Sequence, residues 1–306
     1  MTTNVASTIT RAASQQTYWT IRLLVDRDRV QDAYRAYGYF RWVDDVLDAD
    51  TGSPAERRAF LERQRSLLES CYQGAAAADA GPQERLLVEL VHGDHEKNSG
   101  LQLYLRNMMR VMQFDAGRRG RLVTEAELNE YTRWLAVAVM EAIHHFIGHD
   151  EYSPHDETRY LAVSAAHITH MLRDTFDDLQ AGYYNVPREV LEQNHISPAD
   201  VHSPAYRAWV RGRVELAREY FEAGRRYFAR VQNARCRLAC FAYIARFDWL
   251  LDTLEREDYH LRPQYDERKS IGTGLRMSAL AVSSMLSFRG LETPSRSMVS
   301  PRHSKP

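Results

Sequence analysis

The sequence predicts an all-α protein, and three observations support that fold class. The 306-residue chain contains only 15 glycines and 10 prolines. It shows no regular series of short β-branched runs of the kind that form strands. Two capping boxes mark helix starts directly. Hydrophobic residues make up 44% of the chain and charged residues 26%, a balance typical of a folded protein with a sizeable core.

Each predicted helix follows from a local signal. Ser53 and Glu56 form the first capping box, with a proline at the first helical position, and Thr124 and Glu127 form the second. Hydrophobic periodicity predicts further helices at about 15–48, 84–92, 101–115, 156–182, 198–232 and 234–259. The breaks between them lack the length and composition of interdomain linkers. We therefore expect a disordered N-terminus over 1–13, one all-α domain over 14–289, and a disordered tail over 290–306.

The balance of charge and the cysteine content limit the possible partners and compartments. Lysine and arginine total 40 against 41 aspartates and glutamates, so the chain has no general basic field and we expect no nucleic-acid partner. The three cysteines are too few for a disulfide framework and favour a reducing compartment. No segment reaches the roughly 18 apolar residues of a membrane span. We expect a cytoplasmic protein with at most peripheral membrane contact.

Two aspartate-rich motifs are the most informative feature of the sequence. Asp44 and Asp48 are four residues apart in a helical pattern and therefore share one helix face, and Asp174 and Asp178 repeat that spacing. Like charges at this spacing weaken an isolated helix by roughly 0.2–0.5 kcal/mol per pair. Two such clusters facing each other across a helical core would need cations between them.

The motifs predict a site for Mg²⁺ and a diphosphate. Mg²⁺ prefers oxygen ligands and typically binds one or two carboxylates together with substrate phosphates. Neutralising a diphosphate leaving group in this way would let an allylic C–O bond ionise. Arg41 precedes the first motif and Arg173 the second, and each could hold diphosphate oxygens with its forked guanidinium. Either motif alone could equally be a solvated helix face, but the matched pair favours a site.

The segments YFRWVDDVLD and LRDTFDDLQAGYYNVPREVL resemble the squalene/phytoene synthase family, and the resemblance runs from about Ser14 to Lys269. It implies a single-domain isoprenoid-synthase-type helical bundle around a central cavity. It also implies Mg²⁺ and an allylic prenyl diphosphate of the dimethylallyl, geranyl or farnesyl class. The implied metal ligands are Asp44, Asp48, Asp174 and Asp178, with Asp45 and Asp177 as supporting acids. The implied or candidate diphosphate contacts are Gln15, Thr17, Tyr18, Arg41, Arg173 and Lys269.

The sequence also departs from the family pattern. Family members usually carry Gln and Asn where this chain has His167 and His170. The usual Gly-Arg-x-Tyr after the second motif is replaced here by Gly182 followed by Tyr183-Tyr184-Asn185, so both the arginine and the tyrosine are altered. The forked positive charge of that arginine is lost. Two usual glycines of the middle helix are Val137 and Met140, and their side chains would remove cavity volume.

These departures favour transfer of the prenyl group to a small lipophilic, aromatic or quinone-like acceptor, as in phytoene-synthase-like aromatic prenyltransferases. On this hypothesis His170 and Tyr131 join the four motif aspartates as catalytic residues. The acceptor cavity would be lined by Tyr37, Val137, Met140, His167, Tyr183 and Asn185. His167 and His170 could equally be hydrogen-bonded core histidines. Two other functions stay open: head-to-head condensation of two prenyl diphosphates, and a non-catalytic assembly or binding protein that keeps the fold.

Two further clusters have a simpler interpretation. Arg118, Arg119 and Arg121 form a short basic cluster that we interpret as a solvated loop, with contact to a membrane surface as a weaker possibility. Met108, Met109 and Met112 are predicted to lie in the core or to line the cavity.

Overall fold

A computed structural model of the chain describes residues 2–49, 53–75 and 77–265, and all regular structure within these residues is helical. The helices are α1 (Thr2–Ala13), α2 (Gln15–Leu24), α3 (Val30–Asp48), α4 (Pro54–Tyr72), α5 (Glu84–Gly93), α6 (Gly100–Arg118), α7 (Glu125–Phe146), α8 (Leu161–Arg173), α9 (Thr175–Ala181), α10 (Arg188–Asn194), α11 (Pro204–Ala229) and α12 (Ala234–Arg256), with a 3₁₀ turn at Glu157–Tyr160 before α8. The predicted all-α fold class is confirmed.

Both predicted capping boxes are present. At the start of α4 the Ser53 hydroxyl accepts from the Glu56 backbone N–H, and the Glu56 carboxylate accepts from the Ser53 N–H. Thr124 and Glu127 make the same reciprocal pair at the start of α7. Each box satisfies two backbone donors that would otherwise lack a partner in the first helical turn. The α4 and α7 starts therefore follow from local sequence alone.

Two segments predicted as single helices are broken in the structure. The segment 15–48 divides between α2 and α3 because Asp26 bonds elsewhere in the fold. Its backbone N–H donates to the Phe146 carbonyl at 2.9 Å, and its carboxylate accepts from the Gly148 N–H at 2.8 Å. The segment 156–182 divides into the 3₁₀ turn, α8 and α9, with the second break at Asp174. Long-range bonds of this kind cannot be read from periodicity.

The N-terminal segment differs from the disorder expected for residues 1–13. Residues Thr2–Ala13 form α1, which packs on α3 and fully buries Ala6. Gly38 of α3 faces Ala6, and a Cβ at that position would lie 3.6 Å from the Ala6 Cα, an ordinary packing distance. The predicted tail over 290–306 lies outside the described residues.

The centre of the bundle is formed by α7 and α8, with α6 packed on α7 and α11 packed on α8. Gly224 brings α11 unusually close to α8, since a Cβ there would lie 2.5 Å from the Ala162 Cβ. Ala162, Val163 and Ala166 of α8 are almost completely buried in consequence. Within the described part of the chain, no helix combines the length and apolar character needed to cross a membrane.

Candidate active site

The first acidic motif lies at the C-terminal end of α3. The Arg41 guanidinium pairs with the Asp45 carboxylate one turn later, and its Nη1 lies 3.4 Å from Asp44 Oδ2. Asp44 is partly buried, whereas Asp45 and Asp48 are exposed. Burial, and then the neighbouring Asp48 charge, raise the pKa of Asp44 above its usual value. The structure thus places Arg41 beside the motif, where its charge only partly offsets the crowding.

The second motif spans the junction of α8 and α9. The Arg173 guanidinium makes a bidentate ion pair with Asp174, in which Nε donates to Oδ1 at 2.6 Å and Nη2 donates to Oδ2 at 2.7 Å. His170 Nε2 lies 3.3 Å from the same carboxylate. The Asp178 N–H still donates to the Asp174 carbonyl at 2.8 Å, so the helical spacing of the two aspartates survives the break. Asp177 is exposed.

A carboxylate that the sequence did not single out links the two motifs. Asp115, near the end of α6, interacts electrostatically with Asp44 and Asp48 of the first motif and with Asp178 of the second. Burial, chiefly, raises the pKa of Asp115. Burial also raises the pKa of Asp178 to about 6, and the Asp174 charge adds to this effect. The three helices therefore converge as one crowded acidic site.

A small cavity of about 50 Å³ opens at this convergence. It is lined by Asp44, Leu47, Asp48, Arg57, Met112, Asp115, Ala116, Arg119 and Tyr183. The volume leaves room for a few water-sized groups. The predicted role of the methionine run as core or cavity lining holds for Met109, which is buried, and for Met112.

The donor set of this cavity fits Mg²⁺. Hard carboxylate oxygens are its preferred protein ligands. Burial, and then the charges of neighbouring carboxylates, raise the pKa values of Asp44 and Asp178, and a divalent ion nearby would oppose this by favouring their ionised forms. No group of three or more His, Cys, Asp or Glu side chains within the described residues converges closely enough to enclose a metal alone. Mg²⁺ usually keeps water and takes further oxygens from a substrate phosphate.

Tyr131 and His167 lie behind the acidic cavity. The Tyr131 hydroxyl donates to Asp115 Oδ2 at 2.8 Å. The rings of Tyr131 and His167 make an edge-to-face contact with their centroids 4.8 Å apart. His167 is only 8% exposed, and its Nε2 has no hydrogen-bond partner. Burial lowers the pKa of His167 to about 3, so the imidazole is neutral. His170, by contrast, is exposed and faces Asp174.

Arg118 corrects our interpretation of the basic cluster as a solvated loop. Its side chain is buried at the end of α6, where Nε donates to Asp115 Oδ1 at 2.8 Å and Nη1 donates to Asn185 Oδ1 at 2.8 Å. Only Arg119 and Arg121 are exposed. The burial of Arg118 follows from the α9–α10 loop, which folds back onto α6 and could not be placed from sequence.

A larger apolar cavity of about 420 Å³ lies between α2, α3, α7 and α12. Tyr37 and Thr17, both predicted site residues, line it. Its wall on α7 is formed by Val139, Ala142, Ile143, Phe146 and Ile147. Val137 is only partly buried and is absent from this wall, and Met140 is fully buried in the core instead, so neither residue lines the cavity as predicted.

The remaining predicted residues are placed less centrally. Gln15 opens α2 after its cap residue Ser14 and is exposed. Tyr18 stacks on Tyr34 with a centroid separation of 5.6 Å rather than lining the apolar cavity. Lys269 lies outside the described residues.

Comparison with known proteins points to one family. The family model described as squalene/phytoene synthase matches residues 10–272. The presqualene diphosphate synthase of Zymomonas mobilis subsp. mobilis is 27% identical over 197 residues, which cover 64% of this chain and 63% of the relative. Phytoene synthase 1 of Zea mays is 23% identical over 277 residues, which cover 88% of this chain and 64% of the relative. The chain therefore spans less than two thirds of the length of these curated relatives.

Solved structures share the fold. The squalene synthase HpnC from Alicyclobacillus acidocaldarius matches with a TM-score of 0.69 at 22% identity, covering 85% of this chain and 95% of that one. A dehydrosqualene synthase solved with a ligand matches with a TM-score of 0.69 at 16% identity, covering 94% and 97%. These neighbours confirm the isoprenoid-synthase-type helical bundle.

Proposed function

Because the chain belongs to the squalene/phytoene synthase family, we propose that it ionises an allylic prenyl diphosphate with Mg²⁺ and condenses it head-to-head with a second prenyl diphosphate. Members of this family are prenyltransferases that generally use Mg²⁺ with diphosphate substrates. The observation that carries the proposal is the convergence of Asp44, Asp115 and Asp178 from three helices at one acidic site. A non-catalytic protein would have no need to keep these crowded charges.

The position of the apolar cavity supports a prenyl substrate. Tyr37 of α3 lines that cavity, and Asp44 lines the acidic cavity seven residues further along the same helix. Seven residues of α-helix span about 10 Å. A diphosphate at the aspartates would therefore place its prenyl chain along α3 toward the apolar cavity. Its volume of about 420 Å³ lies within the range of roughly 300–1,000 Å³ that is typical of small-molecule sites.

The protein side chains have distinct roles in this reaction. Asp44, Asp48 and Asp178 would hold Mg²⁺, which supplies neutralising charge to the departing diphosphate. Arg41 and Arg173 can turn from their aspartates to hold diphosphate oxygens. The allylic C–O bond breaks, and its electron pair leaves with the diphosphate.

The apolar cavity then governs the fate of the carbocation. The aromatic faces of Tyr37, Tyr104 and Tyr243 line it and can stabilise positive charge while excluding water. A double bond of the second prenyl chain supplies the electrons of the new C–C bond, and a proton is lost from the coupled product. This condensation is the alternative that the sequence analysis left open, and the family relatives favour it over an aromatic acceptor.

A second candidate is transfer to a non-diphosphate acceptor. It is supported by Tyr183, which takes the place of a usual arginine beside the acidic cavity, and by Met140, which is fully buried where a glycine is usual. The first change removes a positive charge that could hold a second diphosphate, and the second fills core volume next to Val139, which lines the apolar cavity. Such a reaction would keep the first ionisation step and differ only in the acceptor.

Product analysis separates these candidates. The purified protein is incubated with Mg²⁺ and geranyl, farnesyl or geranylgeranyl diphosphate, and released pyrophosphate and extracted lipids are measured. We expect pyrophosphate release with a coupled product of two chains. Pyrophosphate release that appears only after an aromatic acceptor is added would favour the second candidate. Absence of release under every condition, in the parent as in Asp44→Asn, would overturn both and favour a binding protein.

A further inference from the structure

The guanidinium of Arg118 is fixed on every side at the junction of the two acidic motifs. It donates to Asp115 through Nε and to Asn185 through Nη1, both at 2.8 Å. The rings of Tyr131 and Tyr183 lie 5.2 and 4.9 Å from its central carbon. An arginine with both hydrogen bonds and aromatic contacts on its faces has little rotamer freedom left.

Arg118 controls the orientation of a second side chain. The amide oxygen of Asn185 accepts from Arg118, so the amide nitrogen of Asn185 must point the opposite way. That nitrogen donates to Asp178 Oδ2 at 2.6 Å. The chain of contacts therefore runs from Asp115 through Arg118 and Asn185 to Asp178, and it connects α6 to α9.

We propose that Arg118 is a positioning residue that sets the relative placement of Asp115 and Asp178, holding the first directly and the second through Asn185. The inference rests on the proposed function, because it concerns how that site presents its carboxylates to Mg²⁺ and diphosphate. The contact between Arg118 and Tyr183 depends on a residue in which this chain departs from the family pattern. Where an arginine is usual after the second motif, this chain has Tyr183, which packs on Arg118. The positively charged side chain at this position of the site is therefore supplied by α6.

A substitution that removes the positive charge of Arg118 tests the proposal. In Arg118→Gln we expect the Mg²⁺ concentration for half-maximal pyrophosphate release to rise about 10- to 100-fold, the size of effect seen when groups that orient metal ligands are removed. Calorimetry with inorganic pyrophosphate at fixed Mg²⁺ should show a matching loss of affinity, and this readout does not require turnover. Arg121→Gln, an exposed arginine three residues later that pairs with Glu127, is the matched control and should leave both values unchanged.

Three further variants separate positioning from simple structural support. Arg118→Lys keeps the charge but cannot direct two bonds from a planar fork, so it should stay impaired. Asn185→Ala leaves the Arg118–Asp115 pair intact and should reproduce the rise in half-maximal Mg²⁺, which decides the question if Arg118→Gln does not fold. Adding Tyr183→Arg to Arg118→Gln should restore part of the pyrophosphate affinity.

The outcomes distinguish this inference from the proposed function. Wild-type protein that binds pyrophosphate with Mg²⁺ but releases none from any prenyl diphosphate would overturn the proposed function alone. Folded Arg118→Gln and Asn185→Ala proteins with the same half-maximal Mg²⁺ and pyrophosphate affinity as Arg121→Gln would overturn the positioning role. Wild-type protein without Mg²⁺-dependent pyrophosphate binding would overturn both.

Discussion

Asp115 gives the acidic site its shape at the residue scale. It lies between the two repeated motifs and accepts hydrogen bonds from Tyr131 and Arg118. These bonds favour its ionised form, while burial and the Asp48 charge oppose ionisation. The pKa of Asp115 is raised on balance, and a divalent cation bound nearby would favour its ionised form.

Removing one carboxylate from this site should abolish most of the activity. We expect Asp44→Asn and Asp178→Asn each to lower the rate of pyrophosphate release by about 100-fold or more, because each loses charge stabilisation of the leaving group. Initial rates at saturating Mg²⁺ provide the measurement. Asp28→Asn, at an aspartate exposed between α2 and α3, is the control and should keep the parental rate. Equal rates in Asp178→Asn and the control would exclude Asp178 from the site.

Tyr131→Phe should weaken the fold as well as the site. The substitution leaves the partly buried Asp115 carboxylate without one of its donors. Loss of a hydrogen bond to a charged group costs about 1.5–3 kcal/mol. Urea unfolding followed by circular dichroism should show this decrease in the free energy of unfolding. An unchanged midpoint would mean that water replaces the lost hydroxyl.

Individual residues of the site differed in how far they could be predicted from sequence. The four motif aspartates stand out because their spacing repeats. Asp115 and Arg118 do not, because each lies near the end of a helix outside the repeated motifs and only the tertiary fold brings it inward. The nearest signal was the cluster of arginines at positions 118–121, whose composition suggested solvent exposure. Asp115 is a local partner of Arg118, but its second partner, Asn185, lies 67 residues away in sequence, beyond any local pattern.

At the scale of elements, Glu84 joins α4 to α5. Its carboxylate accepts from the Arg63 guanidinium at 2.8 and 2.9 Å, from the Gln64 amide at 2.8 Å and from the Gly81 N–H at 2.8 Å. The Gln64 amide oxygen in turn accepts from Tyr39 of α3 at 3.1 Å. One buried carboxylate therefore holds three helices in register, and it needs its charge to do so.

The Glu84 network predicts acid sensitivity. The pKa of Glu84 is lowered from 4.5 to about 2 in the folded protein, and the hydrogen bonds from Arg63 are the main cause. Its contribution to stability is therefore complete above pH 4.5 and is lost as the pH falls toward 2. Urea midpoints should show that the difference between wild type and Glu84→Gln shrinks over that interval. Glu62→Gln, at an exposed pair with Arg65, should show a small, nearly constant difference. A Glu84→Gln difference that stays constant from pH 7 to 3 would contradict this account.

Helix starts were more predictable than helix continuity. Capping boxes at Ser53 and Thr124 depend on bonds within four residues, so the sequence alone locates them. The break at Asp26 depends on Phe146 at the end of α7, on Gly148 just after it and on Arg235 of α12, all more than 100 residues away. The packing of α1 likewise depends on its contacts with α3, which composition cannot reveal.

At the scale of the whole molecule, one side of α7 packs into the solid core, and another side faces the apolar cavity between α2, α3, α7 and α12. Met140 is completely buried in the core, whereas Val139 on the next face lines the apolar cavity. The two adjacent residues thus separate packed interior from open volume. A resemblance to a family predicts that a cavity exists, but side-chain packing decides which residues face it.

Met140→Ala tests how tightly that interior is packed. Truncating a fully buried methionine should lower the free energy of unfolding by about 2–5 kcal/mol through lost burial and the resulting void. Chemical denaturation of the intact protein gives this value. Met108→Ala, at a partly buried position, should lose clearly less. Similar losses at both positions would show that the region around Met140 is already loosely packed.

On the proposed function, α3 carries the diphosphate near Asp44 and directs the prenyl chain past Tyr37. A crystal structure of the protein with Mg²⁺ and a non-reactive thiodiphosphate analogue of farnesyl diphosphate tests this placement. We expect metal-bound diphosphate oxygens beside Asp44 and Asp178, with the chain directed past Tyr37 into the apolar cavity. A diphosphate bound away from both carboxylates, or a chain directed out into solvent, would contradict it.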